Sequence, residues 1–178
     1  MRVPEHLERY WSAFVSSQAE DPTPRFFEAF HFDDNEASAD ELAELVLAGT
    51  KRATAGLAWS FEKAPARLPR VGDLSIVTNW KMRPRCVIET QRVDVVPFDE
   101  VSEEFAATEG EGDGSLEYWR RVHLAYFGRE CERLGRKIDP RMPVVCERFA
   151  VIFRGIDLHA ACPGGQCTLA AHQGEGLR

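Results

Sequence analysis

The hydrophobic pattern of this chain changes its period at Gly49, from the spacing of a helix to that of a strand. Before this glycine, Leu42, Leu45 and Val46 recur at helical spacing, and glycine is the residue that most often ends a helix. After it, residues 54–61 alternate loosely between apolar and polar side chains, which is typical of a strand. The switch predicts a domain that combines helices with strands.

The rest of the chain repeats these two periods. We expect a helix over residues 5–18, a strand or packed loop over 26–32, and a second helix that begins at the capping box Ser38–Glu41. Three further strands are predicted at 74–78, 86–96 and 144–153. A short acidic helix is predicted at 98–105, and a long helix from Asp113 or Ser115 to Gly135. These segments predict an α+β domain over residues 1–153, a small mixed barrel or sheet with flanking and inserted helices. Residues 154–178 lose the periodicity, and we expect a mobile tail there.

The composition limits the functions and the location of the chain. Its 178 residues are enough for one domain with some additional segments. The 22 basic and 29 acidic residues give a net charge of −7. This charge excludes a broad clamp on nucleic acid, which needs a basic surface. No apolar run is long enough to cross a membrane, and no signal peptide is recognisable. The five cysteines are unevenly spaced and odd in number, which indicates reduced thiols in the cytoplasm.

The junction between the capped helix and the following strand contains a lysine and a threonine that can carry chemistry. Backbone N–H groups after Gly49, together with Lys51, can hold an anion or a polar ligand, and the Thr54 hydroxyl lies within reach of the lysine. The spacing differs from that of a phosphate-binding P-loop. The alternative is an ordinary helix end with two solvated cations, Lys51 and Arg52.

An acidic, glycine-rich segment follows later in the chain. Glu109, Glu111 and Asp113 alternate with glycines, which allow a backbone to approach a ligand closely. A carboxylate beside Lys51 would set its protonation and orient a nucleophile or water. The alternative is a flexible acidic turn that starts a helix, where negative charge is favourable anyway.

Other polar and aromatic side chains are candidates for the wall of a site. His123 lies on the apolar face of the long helix, where a packed, hydrogen-bonded histidine is the alternative to a functional one. Glu147 faces the same side of its strand as apolar residues, so it is either an ion-pair anchor or a base in a pocket. Trp59, Trp80 and Trp119 are candidates for stacking on a base, with packing in the core as the alternative.

The tail contains four residues with the spacing of a zinc knuckle, although the ligand types are permuted. His159, Cys162, Cys167 and His172 supply two imidazoles and two thiolates, which suit tetrahedral zinc. The tail lacks the basic and aromatic residues with which such knuckles bind nucleic acid. We therefore favour a disordered tail without metal.

These motifs, taken in order, resemble those of a known family. Residues 47–54 resemble the Gly-x-Lys-x-x-Thr signature of ASCH-domain proteins. Residues 71–73, 109–120, His123 and 145–149 resemble the larger bacterial ASCH subgroup, so the resemblance covers roughly residues 10–153. The resemblance implies a PUA-like fold, a small mixed β-barrel with flanking helices and a cleft beside the signature loop.

The resemblance also implies two activities. Small members of the family hydrolyse the N4-acyl amide of acetylated cytidine with a threonine, a lysine and a glutamate, and a member of the larger type is a metal-dependent ribonuclease. Lys51 and Thr54 match this set directly, and Glu111 is the preferred carboxylate, with Glu109 next. We therefore expect a small hydrolase without a cofactor, in which Thr54 is the nucleophile and Glu111 orients Lys51. Lys51 would be the base, and burial or the neighbouring Arg52 would have to keep it partly neutral.

The expected partner is a nucleoside or a short RNA, and no membrane. The residues predicted to bind the substrate are Gly49, Arg52, Trp59, Trp80, Ser115, Tyr118, Trp119, Arg120, His123 and Glu147. The first alternative is an RNA-binding module or an endoribonuclease for single-stranded RNA that holds a divalent metal on the acidic segment. The second is a regulator that senses a ligand in the same cleft. The oligomeric state is not predicted.

Overall fold

Helices and strands alternate along residues 2–62 and 67–155, the parts of the chain that the computed structural model describes. The strands are β1 (Phe26–Phe30), β2 (Ala53–Leu57), β3 (Leu74–Thr78), β4 (Pro84–Pro97) and β5 (Pro143–Phe153). The α-helices are α1 (Glu8–Val15), α2 (Glu36–Ala48), α3 (Glu103–Glu109) and α4 (Leu116–Leu134). Within these ranges, no helix combines the length and the apolar character needed to cross a membrane.

The five strands form one mixed sheet in the order β1-β3-β4-β5-β2. β1 pairs with β3 in parallel, and the other three pairs are antiparallel. The predicted α+β class is confirmed. The ladder between the described strands stays open, however, because β1 and β2 are its two edges and do not pair with each other, so the predicted barrel is not closed by hydrogen bonds.

The helices cover the sheet with three apolar clusters. Trp11 and Phe14 of α1, with Leu7 of the 3₁₀ turn before it, pack against Leu74 and Ile76 of β3, as the helical spacing predicts. α2 contributes Ala43 and Val46 to a second cluster with β3, β4 and β5. α3 and α4 cover the β2–β5 end of the sheet with a third cluster that includes Phe105, Trp119 and Phe127.

Several element boundaries differ from the predictions. α2 begins at Glu36 rather than at Ser38, because the Asn35 side chain already accepts a hydrogen bond from the Ser38 N–H at 2.9 Å. β2 ends at Leu57, and the chain continues as a 3₁₀ turn over Ala58–Glu62. Phe26–Phe30 is a strand, which only its pairing with β3 decides. The short acidic helix predicted over 98–105 is instead a 3₁₀ turn over Phe98–Glu100 followed by α3.

The predicted tail cannot be compared with the structure. Its proposed zinc ligands His159, Cys162, Cys167 and His172 lie outside the described residues. The boundary between a domain and a tail near residue 154 therefore stays a prediction.

Candidate active site

Lys51 is a buried cation held between two carboxylates. It follows Gly49, which ends α2 with a φ of 78° and turns the chain toward β2. Its Nζ donates hydrogen bonds to Glu109 Oε1 at 2.9 Å and to Glu111 Oε1 at 2.6 Å. The side chain of Lys51 is 1% exposed, that of Glu109 2% and that of Glu111 15%. The ammonium has three N–H donors and uses two of them on these carboxylates.

The two carboxylates reach Lys51 because a glycine separates them. Glu109 is the last residue of α3, and Gly110 ends that helix in the left-handed region with a φ of 68°. A Cβ at Gly110 would lie 2.5 Å from the backbone oxygen of Thr50, so only glycine lets this loop approach the end of α2. The acidic segment is therefore fixed against the lysine by backbone packing.

Glu109 is also held from α4. The Trp119 indole N–H donates to Glu109 Oε2 at 2.5 Å, and His123 Nε2 lies 3.6 Å from Glu109 Oε1. The His123 ring stacks on Trp119 at 4.1 Å between centroids, and its Nδ1 lies 3.0 Å from the Trp119 carbonyl oxygen. Because a carbonyl oxygen only accepts, Nδ1 is the donor in this contact, and Nε2 is the ring nitrogen that faces Glu109.

The electrostatics of this cluster favour its charged forms. Burial alone would lower the pKa of Lys51, but the charges of Glu109 and Glu111 raise it above its ordinary value. Burial would raise the pKa of Glu109, but Lys51 and His123 lower it to about 2. The pKa of His123 is raised because Glu109 outweighs the effect of burial. These charges act against the expected partly neutral Lys51, because two carboxylates contact it and the side chain of Arg52 is exposed.

A cavity of about 290 Å³ opens beside Lys51. Lys51, Thr54 and Glu111, the three predicted catalytic residues, all line it. Its wall includes Glu28 and Phe30 of β1 as well as four residues of β2, so the two edges of the sheet border the same space. Its volume is close to the lower end of the range of small-molecule sites, roughly 300 Å³.

Glu147 belongs to this cavity and forms no ion pair with any residue that the structure describes. It lies directly opposite Thr54 in the β2–β5 ladder, which places the two side chains on the same face of the sheet. Its Oε1 accepts a hydrogen bond from Thr90 Oγ1 at 2.5 Å, and burial raises its pKa. The neighbouring Arg148 pairs with other carboxylates. Glu28 faces the same cavity, and burial together with the charge of Glu147 raises its pKa to about 7.

The predicted substrate-binding residues divide into three groups. His123 and Glu147 line the cavity. Trp119 is buried behind Glu109 and orients it. The others do not line the cavity: Gly49, Arg52, Trp59, Trp80, Ser115, Tyr118 and Arg120.

The two remaining tryptophans are engaged elsewhere. The guanidinium of Arg136 lies over the Trp59 ring, 4.6 Å from its centroid. Trp80 packs on His31 at 4.7 Å between ring centroids, and only His31 reaches the cavity wall. Neither tryptophan offers a free face at the site.

The other residues outside the cavity have structural roles. Gly49 caps α2, and Ser115 caps α4 by accepting a hydrogen bond from the Tyr118 N–H at 3.1 Å. The Arg120 side chain donates to a backbone carbonyl at 3.1 Å. Arg52 joins β2 to α3 through its backbone, because its N–H donates to the Thr108 carbonyl at 3.1 Å.

Sequence reasoning did not identify several cavity residues: Glu28, Phe32, Ser60, Tyr126 and Glu130. A signal existed for two of them, since Tyr126 and Glu130 follow His123 at spacings of three and seven on one face of α4. Ser60 lies in the 3₁₀ turn after β2, and no pattern in the sequence indicates that this turn bends back to the site.

The carboxylates predicted to hold a divalent metal already have partners within the protein. Glu109 and Glu111 bind Lys51, and Asp113 Oδ1 accepts a hydrogen bond from the Ser115 N–H at 2.9 Å. In the described part of the chain, no group of three or more His, Cys, Asp or Glu side chains is arranged to hold a metal ion.

Comparisons with known proteins agree with this fold. A family model described as the ASCH domain matches residues 28–153. The structure is similar to that of the ASCH domain from Lactobacillus crispatus JV V101, with 36% identity, a TM-score of 0.79, and coverage of 85% of this chain and 97% of that one. It is also similar to protein EF3133 from Enterococcus faecalis V583, with 28% identity, a TM-score of 0.76, and coverage of 84% and 90%. No curated protein matches the chain.

Proposed function

This chain belongs to the ASCH-domain family, and from that premise we propose that its cavity hydrolyses the N4-acyl amide of a cytidine-like nucleoside. One observation carries the proposal. A fully buried lysine is held between two carboxylates at the wall of a cavity that Thr54 also lines. The desolvation of three charged groups is costly, and sites of catalysis are where proteins retain such arrangements.

In this reaction Thr54 Oγ1 attacks the acyl carbonyl carbon and forms a C–O bond. Glu111, the more exposed carboxylate, accepts the proton that Thr54 loses. The C–N bond then breaks, and the protonated Lys51 donates a proton to the departing amine. Water hydrolyses the resulting acyl ester and releases Thr54, while Glu111 returns its proton to Lys51. Lysine and glutamate thus act as acid and base, because the two carboxylates keep Lys51 charged.

Glu109 has a positioning role in this proposal. Both of its oxygens are engaged, Oε1 by Lys51 and Oε2 by Trp119, and its side chain is 2% exposed. It is therefore less accessible to substrate than Glu111. This difference supports Glu111 as the carboxylate of the catalytic set.

The charge of the cavity favours a small neutral ligand over RNA. Its cations are neutralised inside the protein: Lys51 binds Glu109 and Glu111, and Arg129 binds Asp34 at 2.7 Å. Phosphate groups need cations that are free to receive them.

The test assays N4-acetylcytidine and single-stranded RNA side by side, with and without EDTA, on the wild type and on Lys51→Ala, Thr54→Val and Lys137→Ala. Lys137 is an exposed lysine and serves as the matched control. We expect EDTA-insensitive release of acetate, reduced at least ~100-fold in the first two variants and unchanged in the third. Full turnover by Lys51→Ala would overturn the mechanism. Cleavage of RNA that EDTA stops would favour the ribonuclease, and binding without turnover would favour the ligand sensor.

A further inference from the structure

Glu130 presents a buried carboxylate oxygen that no group in the described residues satisfies. Its Oε1 accepts a hydrogen bond from the Ser60 hydroxyl, whereas its Oε2 is buried without a partner. The neighbouring Arg129 is paired with Asp34, and Glu130 forms no salt bridge among the described residues. A buried carboxylate oxygen without a donor is costly, so this atom is a candidate acceptor for a ligand hydroxyl.

Glu130 lines the same cavity as Lys51. Glu130 and Ser60 form part of the same wall as Lys51, Thr54 and His123. Glu130 lies seven residues after His123 on α4, which places it about 10 Å further along the helix axis. The cavity therefore runs from the charged cluster at His123 to a second polar end at Glu130.

Two residues that carry hydroxyl groups, Ser60 and Tyr126, line the cavity together with Glu130. Tyr126 also lines the cavity, and burial together with the charge of Glu130 raises its pKa to about 12, so its hydroxyl keeps its proton. Its hydroxyl forms no hydrogen bond with the described residues, and Ser60 Oγ retains lone pairs that can accept. The end thus offers one strong acceptor and two hydroxyls.

This combination fits a vicinal diol better than an anion. Each hydroxyl of a diol both donates and accepts, and carboxylates commonly receive the hydroxyl groups of ribose. A phosphate at this position would face the negative charge of Glu130. A nucleoside carries its exocyclic amide and its sugar at opposite ends, which matches the two polar ends of the cavity.

We propose that Glu130, with Ser60 and Tyr126, forms a ribose subsite that binds the 2′- and 3′-hydroxyls of the substrate. This inference rests on the proposed function, because it assumes that the amide end of the nucleoside lies at Lys51. It makes the protein selective for ribonucleosides over 2′-deoxynucleosides and free bases.

The experiment measures kcat/KM for N4-acetylcytidine, its 2′-deoxy counterpart and N4-acetylcytosine. The proteins are the wild type, Glu130→Gln and the control Glu132→Gln, which changes an exposed residue of the same helix. A charge-assisted hydrogen bond contributes a factor of roughly 10 to 100. We expect the wild type and Glu132→Gln to prefer the ribonucleoside over the deoxynucleoside by about that factor, and Glu130→Gln to lose most of the preference.

Calorimetric binding of cytidine and 2′-deoxycytidine keeps this inference separate from the proposed reaction. If no compound is hydrolysed, the proposed function fails, and a ribose preference in binding that Glu130→Gln abolishes still supports the subsite. Equal turnover of the ribo and deoxy compounds by the wild type overturns the subsite and leaves the proposed function standing. An equal loss for both compounds in Glu130→Gln, or binding of neither nucleoside, also overturns the subsite.

Discussion

Removing the charge of Lys51 is expected to destabilise the protein strongly, and removing its partner as well should restore part of the loss. Lys51→Met leaves the buried carboxylate of Glu109 without its closest cation, 2.9 Å away. Breaking a buried ion pair in this way costs ~3–5 kcal/mol, and the lower end is expected here because Trp119 and His123 still face Glu109. The double variant Lys51→Met/Glu109→Gln has no orphaned buried charge on Glu109.

A double-mutant cycle of Lys51→Met, Glu109→Gln and the double variant measures the coupling free energy between the two side chains. We expect a coupling free energy of about 2–3 kcal/mol, since the two groups are in direct contact and almost fully buried. Urea unfolding followed by tryptophan fluorescence measures it. With a denaturant slope of about 2 kcal/mol per molar, a loss of 3 kcal/mol lowers the urea midpoint by about 1.5 M.

An exposed ion pair of the same protein provides the matched control. Arg141 lies 3.0 Å from Glu100, and the two side chains are 65% and 57% exposed. The cycle of Arg141→Met and Glu100→Gln should give a coupling below about 1 kcal/mol. If Lys51 and Glu109 couple no more strongly than this surface pair, the reasoning that the buried charges depend on each other is refuted.

Two further predictions concern the cavity wall and the acidic loop. Glu28→Gln should stabilise the protein by on the order of 3 kcal/mol at pH 8 and by under about 1 kcal/mol at pH 5, measured by urea unfolding. The sign follows because burial raises the folded-state pKa to about 7, so the wild type loses stability as pH rises from about 4.5 through 7; a gain independent of pH would contradict this cause. Gly110→Ala should destabilise the protein by more than Gly114→Ala, for which strain alone predicts about 1–2 kcal/mol. Both glycines have positive φ, but only at Gly110 does a Cβ meet the Thr50 oxygen at 2.5 Å, so equal losses would argue against that contact.

Local signals along the chain determined much of the fold. Gly49 and Gly135 end α2 and α4 as predicted, because a left-handed residue after a helical stripe depends only on its neighbours in sequence. The alternation of β-branched residues likewise predicted β4 and β5 to within two residues. The start of α2 was predicted wrongly because two side chains, Asn35 and Ser38, compete for the same capping role.

The sequence predicted which residue types form the candidate site, but it did not predict their protonation states or their contacts. Lys51 and Thr54 stand out through the signature that they share with the family. The charge of Lys51 depends on carboxylates 58 and 60 residues away, so no local pattern predicted that it stays protonated. The assignment of Glu147 to the cavity was open until the β2–β5 register placed it opposite Thr54.

Only the tertiary structure decided which groups share one space. The cavity is bordered by both edges of the sheet, β1 and β2, which three other strands separate in the sheet order. It gathers Glu28 from one edge, Thr54 from the other and Glu130 from α4. Helix caps and strand periods are local and can be read from consecutive residues, whereas burial and electrostatic coupling arise between distant segments and exist only once the chain has folded.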